Sequence, residues 1–380
     1  MNKTQHTKTK KHLCFLTREL VIGGVERVLV ETAPLLTPYY EVTIISLHGT
    51  PEPSILQPLQ ESGATVLLPH LPEKQAYMLI PYLSKFHYEK ILKQVDYDYL
   101  ICVNSAAMNA SFIKKAKKRV YWKHSDTVAR HIAPKGLLQK IKKSYIKFIN
   151  KRYDVIWTVC DKITNDFEAA FNFKNVFTLP NPLNYTSILE KSLLPCDVQF
   201  DKNSLNVMAI GRILCGDKAF DRLINVWEKV HQEKPDARLY IVGDGPAKGY
   251  LENETTSKNL NDSVFFIGKK ENPYPYLKQA DLFVCPSREE SFGLVILEAM
   301  ALGIPVITTA TAGGKYTTKE GTLAMCVENT DEALADAILK FLDAPEKYPY
   351  SLEEAKKAAQ SFDLPHYQEN ILRLLKQLEE

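Results

Sequence analysis

Two glutamates separated by seven residues lie in an otherwise apolar part of the chain. Glu290 follows the apolar run Leu282–Cys285, and Glu298 stands between Leu297 and Ala299. A carboxylate in an apolar helix is costly unless a polar partner satisfies it. A ribose diol would be a suitable partner, since it offers two hydroxyl donors to one carboxylate. The spacing therefore indicates a nucleotide site, and the structural alternative is a helix cap at Glu290 and a surface position for Glu298.

The residues between the two glutamates predict the start of a helix over Phe292–Leu302, which ends at Gly303. The first N–H groups of a helix have no partner within the helix and attract anions. We therefore expect the backbone at Phe292, Gly293 and Leu294 to meet phosphate groups.

Two cations follow another predicted strand end, at Arg212 and Lys218. Arginine offers a planar fork and lysine a point charge, and both suit a diphosphate. The alternative is a solvated surface pair. No Asp-x-Asp pair stands at a predicted strand end. We therefore expect the cations and helix N–H groups to neutralise a bound diphosphate without a metal or other cofactor.

Glycines at the ends of predicted strands are candidates for close backbone approach to a ligand. Gly23 and Gly24 precede a predicted helix, and a plain turn is the alternative interpretation there. Gly243 and Gly268 follow two later strands. We expect the backbone near these two glycines to influence which nucleotide base is accepted.

His124 and Asp126 follow the strand predicted over Arg119–Trp122. Side chains just beyond the carboxyl ends of parallel strands face the ligand in open α/β sheets. A lone histidine is more often structural. From the position alone, a site role and a structural role for His124 both stay open, and Asp126 is a lesser candidate on the acceptor side.

The elements that must position these residues alternate between strand and helix. The chain has 380 residues, of which 45% are hydrophobic and 24% charged, as in globular proteins. Seven unpatterned cysteines indicate reduced thiols rather than disulfides or a zinc site. No apolar run approaches the roughly 18 residues that a membrane span requires. The basic N-terminus has no small-residue cleavage site, so we do not expect a secretory signal, and we expect a cytoplasmic protein.

Short, nearly continuous apolar runs predict parallel strands covered on both faces. The predicted strands are Leu13–Thr17, Val42–Leu47, Thr65–Leu68, Tyr99–Val103, Arg119–Trp122, Val155–Val159, Val176–Leu179, Leu205–Gly211, Arg238–Val242, Val264–Ile267, Leu282–Cys285 and Pro305–Ile307. The alternation pauses over residues 183–203, which predicts a connector. We therefore predict an α/β protein with two doubly wound domains, at residues 1–185 and 186–360. A last helix within 361–380 is expected to pack back on the first domain.

The charges divide unevenly along the chain. Residues 1–185 hold 26 Lys and Arg against 15 Asp and Glu, whereas residues 186–380 hold 22 against 30. The segment Lys114–Arg152 has 14 basic residues and one acidic residue, Asp126. Its helical part places Leu137, Ile141, Tyr145 and Phe148 on one face. An interfacial helix on anionic lipid and a core helix with a solvated basic face are the two interpretations, and the charge favours the membrane.

The sequence resembles the retaining glycosyltransferases of family 4, which have the GT-B fold, two Rossmann-like domains facing across a cleft. The matching stretches are Glu290–Glu298 with the residues through Val306, Gly23–Arg27, Asn181–Leu183, Gly211 and Arg212 with Lys218, and Ile241–Pro246. The resemblance covers nearly the whole chain.

The resemblance implies a role for each candidate residue. Glu290 would meet the hydroxyls of the transferred sugar, Glu298 the ribose, and Arg212 and Lys218 the diphosphate. Gly24 would belong to a loop that closes over the diphosphate, and His124 would contact the sugar. Catalysis is accordingly assigned to Glu290, His124, Arg212 and Lys218.

The resemblance also implies a reaction and its partners. A sugar, either a hexose or an N-acetylhexosamine, would move from a nucleotide diphosphate, UDP rather than GDP, with retention of the anomeric configuration. The acceptor would be a lipid-linked saccharide in cell-surface polysaccharide synthesis, at the inner face of the membrane.

Two features depart from the family pattern. Lys218 is followed by Ala219 where the family often has glycine, and the stretch from Gly313 to Thr322 differs from the usual one. Two other functions stay open: a basic nucleic-acid-binding protein, although its sequence signatures are lacking, and a sugar-nucleotide epimerase. We expect no nucleic-acid partner.

Overall fold

The computed structural model describes residues 10–21, 23–69, 96–104, 116–126 and 137–379. The chain forms two compact units. Unit 1 comprises Met1–Pro182 with Tyr367–Glu380, and unit 2 comprises Leu183–His366. Lys114, Lys115 and residues 127–136 of the predicted basic segment lie outside the described residues.

The described strands of unit 1 form one parallel sheet. They are β1 Lys11–Thr17, β2 Tyr40–Ser46, β3 Thr65–Leu67, β4 Tyr97–Val103, β5 Ala116–Lys123, β6 Val155–Thr158 and β7 Val176–Thr178. Their order is β3-β2-β1-β4-β5-β6-β7, and neighbouring strands pair in parallel. This is a doubly wound order, in which the direction of winding reverses between β1 and β4.

Helices pack around this sheet. The described helices are α1 Gly24–Leu36, α2 Pro53–Glu61, α3 Leu137–Asn150, α4 Asp161–Phe171 and, at the end of the chain, α13 Leu364–Gln377. The last helix packs on α1 through buried polar contacts. The hydroxyls of Tyr367 and Thr32 lie 2.9 Å apart, and the Gln368 amide donates to the carbonyl of Leu35 at 2.9 Å.

Unit 2 repeats the plan with a second parallel sheet. Its strands are β8 Asn206–Ile210, β9 Arg238–Val242, β10 Val264–Gly268, β11 Leu282–Cys285, β12 Val306–Thr309 and β13 Met325–Val327, in the order β10-β9-β8-β11-β12-β13. Its helices are α5 Tyr185–Lys191, α6 Phe220–Glu233, α7 Lys248–Ser257, α8 Tyr274–Leu277, α9 Leu294–Ala301, α10 Ala312–Thr317, α11 Asp331–Asp343 and α12 Leu352–Gln360, with a 3-10 turn at Pro345–Lys347. The winding reverses between β8 and β11, so the carboxyl ends of these two strands flank the expected ligand position.

The central strands are buried on both faces, as their apolar runs predict, whereas β3, β10 and β13 are only partly covered. All four residues of β11 are buried, and Trp122 on β5 and Trp157 on β6 are fully covered.

Two local predictions need correction. The stretch 183–203 contains helix α5, and the helix predicted from Phe292 begins at Leu294. The reason for the later start is the left-handed backbone of Gly293, with φ of +84°.

Candidate functional site

Lys218 and Glu290 form an ion pair at the reversal point of the unit 2 sheet. Lys218 lies beyond β8 and Glu290 beyond β11, and Lys218 Nζ is 2.5 Å from Glu290 Oε2. The Glu290 side chain is only 12% exposed, and that of Lys218 is 32% exposed. Burial alone would lower the pKa of Lys218, but the Glu290 carboxylate outweighs it and raises that pKa. The sequence predicted both residues, and the structure brings them into contact.

The loop that carries Glu290 is held against the loop that carries Lys218. The guanidinium of Arg288 donates to both carboxylate oxygens of Asp221, at 2.9 Å each, and to the carbonyl of Cys215 at 2.6 Å. The backbone N–H groups of Arg288 and Glu289 donate to the carbonyl of Asp217. Two parallel hydrogen bonds between a guanidinium and a carboxylate set orientation as well as distance. This arrangement, which we call the loop brace, keeps Glu290 beside Lys218.

A buried arginine, Arg222, anchors the residues of the loop brace. Arg222 of α6 is 6% exposed. Its side chain donates to Asp331 at 2.7 Å and to Asn329 Oδ1 at 2.5 Å, and it reaches the carbonyl of Pro286 at 3.3 Å. The Asn329 amide in turn donates to the carbonyl of Arg288 at 3.0 Å. The cost of burying the Arg222 charge is offset by these partners, which also anchor the start of the loop.

Glu298 occupies a covered position on α9. The residue is 3% exposed, and the buried hydroxyl of Tyr274 donates to its Oε1 at 3.3 Å. Glu298 is therefore a buried carboxylate with protein partners, as its apolar sequence context requires, rather than a surface residue. Tyr274, on α8 after β10, was not among the sequence candidates.

Two glycines allow a close approach around the Glu290 loop. A Cβ on Gly293 would lie 2.8 Å from Ile296 Cδ1, in addition to the strain of its positive φ. A Cβ on Gly313 would lie 2.6 Å from the backbone of Phe292, and the Gly313 N–H donates to the carbonyl of Glu290 at 2.7 Å. The stretch that departs from the family pattern therefore contacts the Glu290 loop through Gly313.

Gly211 after β8 and Gly243 after β9 extend the sheet pairing past the ends of these strands, and Gly268 is the last residue of β10. The N–H of Gly211 donates to the carbonyl of Val242 at 3.0 Å, and that of Gly243 to the carbonyl of Gly268 at 2.9 Å. A Cβ on Gly243 would lie 1.9 Å from the carbonyl oxygen of Gly211. Gly243 is thus required by backbone packing within unit 2, whereas a Cβ on Gly268 would meet no atom within 4 Å. Next to this edge, Arg212 is exposed and makes no ion pair with any described residue.

In unit 1, Gly23 and Gly24 lie where α1 begins. A Cβ on Gly23 would come within 2.4 Å of Glu26 Oε2, so the Glu26 side chain covers Gly23. Burial raises the pKa of this Glu26 carboxyl to about 7. Gly24 is exposed, and a Cβ there would meet no atom within 4 Å. The fold itself therefore does not require a glycine at position 24, which leaves room for a ligand.

His124 lies beyond the end of β5. Its backbone N–H donates to Asn104 Oδ1 at 2.8 Å, and its ring centroid is 4.6 Å from that of Trp122. The residue is 9% exposed, and within the described part of the chain neither ring nitrogen has a hydrogen-bond partner. Burial, together with the charge of Lys123, lowers the pKa of His124 to about 3. The imidazole is therefore neutral near pH 7, although the nearby Asn181 side chain acts against the lowering of its pKa.

Asp126 is also buried at this edge of unit 1, with 9% exposure. Burial raises the pKa of the Cys160 thiol, just beyond β6, to about 11, and the nearby Asp126 carboxylate adds to that shift. The structure thus places Asp126 near the carboxyl ends of β5 and β6.

Among the described residues, no group of three or more His, Cys, Asp or Glu side chains could hold a metal ion.

The helical part of the basic segment exposes its apolar stripe. On α3, Ile141 is 58% exposed, Tyr145 37% and Phe148 51%. The core side of the helix is formed instead by Ile146 and Ile149, which are 8% and 1% exposed. Three members of the stripe predicted from the sequence, Ile141, Tyr145 and Phe148, thus lie at the surface, and the side chain of Leu137 lies outside the described residues. None of the described helices has the length and apolar character to cross a membrane.

Comparison with known families decides the identity of the chain. Residues 22–186 match the family description "Glycosyltransferase Family 4", and residues 197–359 match "Glycosyl transferases group 1". The chain belongs to the family 4 glycosyltransferases. Among its relatives is an uncharacterised glycosyltransferase of Haemophilus influenzae, which is 24% identical over 90% of this chain and 93% of its own length. A poly(glycerol-phosphate) alpha-glucosyltransferase of Bacillus subtilis is 24% identical over 78% of this chain and 43% of its own length.

Solved structures show that this glycosyltransferase has the GT-B fold. A glycosyltransferase of Rickettsia africae superposes with a TM-score of 0.76 at 18% identity, and the match covers 98% of this chain and 100% of that one. Anabaena HepE in complex with UDP gives 0.72 at 18% identity, over 96% and 100%. The α/β fold class and the family predicted from the sequence are confirmed.

The sequence analysis missed the residues that hold the Glu290 loop in place. Arg288, Asp221, Arg222 and Asn329 carry no motif of their own, and each reads as an ordinary surface charge or amide. One signal was available, because Arg222 lies among Phe220, Leu223 and Ile224 in an apolar helix segment. A charge in such a position needs a buried partner.

Proposed function

We propose that this glycosyltransferase moves a hexose or an N-acetylhexosamine from UDP to a lipid-linked saccharide acceptor. The reaction retains the anomeric configuration, requires no metal and serves cell-surface polysaccharide synthesis. The observation that carries the proposal is the Lys218–Glu290 pair at the reversal point of the unit 2 sheet. A cation and a carboxylate side by side suit a ligand with a charged diphosphate next to sugar hydroxyls.

Lys218 and Arg212 supply the positive charge for the diphosphate. The Lys218 ammonium has a raised pKa and is protonated at neutral pH. Arg212 precedes Lys218 by six residues in the sequence. Its side chain is exposed and is available to a phosphate. Fixed cations stabilise the charge that develops on a leaving diphosphate, and this is the part a metal plays in other enzymes.

Glu290 and Glu298 recognise the two sugars of the UDP-sugar. Glu290 is held by the loop brace and accepts hydrogen bonds from hydroxyls of the transferred sugar. Glu298 accepts from the ribose, with Tyr274 keeping its carboxylate oriented at 3.3 Å. Glu298 therefore serves binding, while Glu290 acts on the group whose charge changes in the transition state.

We propose retention from the resemblance to the retaining glycosyltransferases of family 4. The imidazole of His124, whose pKa is lowered to about 3, is a poor proton acceptor near pH 7. We therefore assign it to positioning the sugar. The leaving phosphate then takes the acceptor proton on the face from which it departs. Asp126 is assigned to the acceptor side.

The named relatives support the choice of nucleotide and acceptor. Anabaena HepE is known in complex with UDP-glucose, and Staphylococcus aureus TarM in complex with UDP. A monoacylated phosphatidylinositol monomannoside mannosyltransferase of Corynebacterium glutamicum, which depends on GDP-mannose, is 28% identical over 60% of this chain and 62% of its own length. The name of this mannosyltransferase favours a lipid-anchored acceptor. It also makes GDP the nucleotide to test against UDP.

The basic segment supports a location at the inner face of the cell membrane. Its α3 portion has the exposed apolar stripe and the lysines Lys140, Lys143 and Lys147. An amphipathic basic helix of this kind associates with anionic lipid. The protein would then be peripheral and would meet its acceptor there.

The test is a screen of the purified protein against UDP- and GDP-sugars, with and without polyprenyl-linked saccharides and with EDTA in parallel. We expect slow hydrolysis of one UDP-sugar, transfer to the lipid-linked acceptor, and an α-anomeric product from an α-linked sugar nucleotide by proton NMR. Lys218→Ala should lower kcat/KM by about a hundredfold, as for loss of a charge-stabilising donor. Lys229→Ala, at an exposed pair on the same unit, is the control.

Three results would contradict the proposal. Full activity of Lys218→Ala would place the diphosphate elsewhere. Conversion of a sugar nucleotide to its epimer, without hydrolysis or transfer, would indicate the epimerase. Salt-sensitive RNA binding without reaction on any sugar nucleotide would indicate the nucleic-acid-binding alternative.

A further inference from the structure

Three aromatic rings of unit 2 pack together beside the Glu290 loop. The ring centroid of Phe292 lies 5.9 Å from that of Tyr316 and 5.7 Å from that of Phe362, and the centroids of Tyr316 and Phe362 are 6.1 Å apart. The rings are tilted or nearly perpendicular to one another, which is a favourable arrangement for aromatic pairs. Each ring therefore contacts the other two, and we call this group the aromatic trio.

Phe292 connects the aromatic trio to the candidate site. It follows Glu290 by two residues, and it is 3% exposed. The backbone from Phe292 to Leu294 is also the segment that we expect to meet phosphate groups. Because a closely packed ring moves only if its neighbours move, Tyr316 and Phe362 limit the positions that this loop can take.

Tyr316 comes from the stretch that departs from the family pattern, Gly313 to Thr322. It lies on α10, and near the start of the same helix the N–H of Gly313 donates to the carbonyl of Glu290 at 2.7 Å. Helix α10 therefore holds the Glu290 loop at two points, through a backbone hydrogen bond and through the ring of Tyr316. The second contact depends on a residue for which the family resemblance implies no role.

Phe362 connects the aromatic trio to the segments that join the two units. The chain enters unit 2 at Leu183 and leaves it after His366. The N–H of Leu183 donates to the carbonyl of Phe362 at 2.7 Å, and Leu183 forms an isolated parallel bridge with Asp363. The ring of Phe362 thus contacts the Glu290 loop, while its carbonyl holds the residue at which the chain enters unit 2.

We infer that Tyr316 and Phe362 are positioning residues for the transferase reaction. They hold Phe292, and with it Glu290 and the backbone that faces the diphosphate, in one arrangement. The inference rests on the proposed function, because it takes the Glu290 loop as part of the nucleotide-sugar site. It also has a reciprocal consequence, since two coupled sites stabilise each other equally. A nucleotide bound at the loop should stabilise the hydrogen bond of Leu183.

The first experiment compares the same substitution at two positions of unit 2. Phe362→Leu removes a ring that lies 5.7 Å from its neighbour at an angle of 77°, and Phe341→Leu on α11 removes one that lies 5.9 Å from Tyr348 at 80°. Phe341 is 4% exposed and Phe362 is half-buried, so the control is the more buried ring. We expect kcat/KM for hydrolysis of the UDP-sugar to fall about tenfold in Phe362→Leu and less than about twofold in Phe341→Leu, because only the first displaces a loop of the site. Phe362→Tyr keeps the ring and should retain the parent rate.

The second experiment does not depend on turnover. Hydrogen exchange of the Leu183 amide is measured by mass spectrometry with and without UDP, or with GDP if the parent binds GDP more tightly. At about ten times the Kd, the nucleotide should slow this exchange by up to about tenfold in the parent and in Phe341→Leu, since a ligand stabilises the state that binds it by that factor. In Phe362→Leu the nucleotide should bind without slowing the exchange of Leu183. If thermal melting shows that Phe362→Leu is unfolded, Tyr316→Leu replaces it.

Several results would overturn the inference. These are equal kinetics of Phe362→Leu and Phe341→Leu, a rate of Phe362→Tyr as low as that of Phe362→Leu, and protection of Leu183 by nucleotide that survives the loss of the ring. A parent protein that binds a nucleotide without any slower exchange at Leu183 would overturn it as well. A parent that binds neither UDP nor GDP in calorimetry would instead contradict the proposed function, so the two failures are distinguishable.

Discussion

The loop brace yields a prediction in which stability and activity should separate. Asp221→Asn keeps the size of the side chain but removes the charge that Arg288 grips with two hydrogen bonds of 2.9 Å. The Asp217 carbonyl would still hold the backbone of Arg288. The loop should therefore stay folded but lose the orientation that keeps Glu290 beside Lys218.

The exposure of the pair sets the expected size of the effect on stability. Arg288 and Asp221 are 38% and 26% exposed, so solvent screens the pair and about 1 kcal/mol is the expected loss. A loss of that size lowers the Tm of a domain with 150–250 residues by roughly 2–4 °C. Activity should fall further, by about 10- to 100-fold in kcat/KM, because a displacement of about 1 Å in a catalytic group has that cost.

The assay combines thermal melting with steady-state hydrolysis of the UDP-sugar. We expect kcat to fall more than the KM for the UDP-sugar rises, because the proposed function has Glu290 act mainly on the transition state. Asp336→Asn is the matched control. It breaks another 2.9 Å pair, with Lys229 of the same helix α6, at 50% and 70% exposure. If Asp221→Asn and Asp336→Asn have the same activity, the brace does not position Glu290 and our reasoning about the loop is wrong.

Three further predictions concern the remaining site residues. Gly24→Ala should leave the Tm unchanged yet reduce kcat/KM by about tenfold if a ligand approaches this backbone. The control is Gly249→Ala, where a Cβ also meets no atom within 4 Å, and it should change neither the Tm nor kcat/KM. Equal activities of the two variants would remove Gly24 from the site. Glu298→Ala should raise the KM for the UDP-sugar, whereas Glu290→Ala should mainly lower kcat, and equal small changes in kinetics would contradict both assignments. The pKa of the His124 imidazole is lowered to about 3 in the folded chain, whereas its ordinary pKa is about 6.5. The free energy of unfolding should therefore fall as the pH drops below about 6.5, by up to roughly 1.4 kcal/mol per pH unit, and should level off near the pKa of the folded chain. Melting between pH 7 and pH 4 should show a shallower decline for His124→Gln, and an identical decline would mean that the ring is not buried neutral.

Local sequence patterns determined most of the fold. Both sheets follow from short apolar runs, because parallel strands covered on both faces consist mainly of apolar side chains. Misses occurred where a pattern is short or weak. Strand β13, Met325–Val327, is half-buried and has three residues, so nothing distinguished it from a loop. The start of α9 was misplaced because Phe292 is apolar, although its ring packs against Tyr316 and Phe362 outside the helix.

The candidate residues of the site were likewise readable from sequence. Glu290 and Glu298 have a fixed spacing on one loop and helix, and Lys218 and His124 each follow a strand end. These are local relations, since a strand that ends at a residue places the next few at the ligand edge of the sheet. The residues Gly243 and Gly293 were also found. Close backbone packing requires glycine at position 243, whereas the positive φ and the nearby Ile296 side chain favour glycine at position 293.

Only the tertiary structure decided which of these residues meet. Lys218 and Glu290 are 72 positions apart, and Arg222 and Asn329 are 107 apart. Their contacts depend on how β8 and β11 pair and how α6 packs beside α11, and no local pattern encodes either. The same holds for α3, whose sequence has apolar residues on two sides. Packing against the sheet buries Ile146 and Ile149 and leaves Ile141, Tyr145 and Phe148 at the surface, since a helix can cover a sheet with only one of its faces.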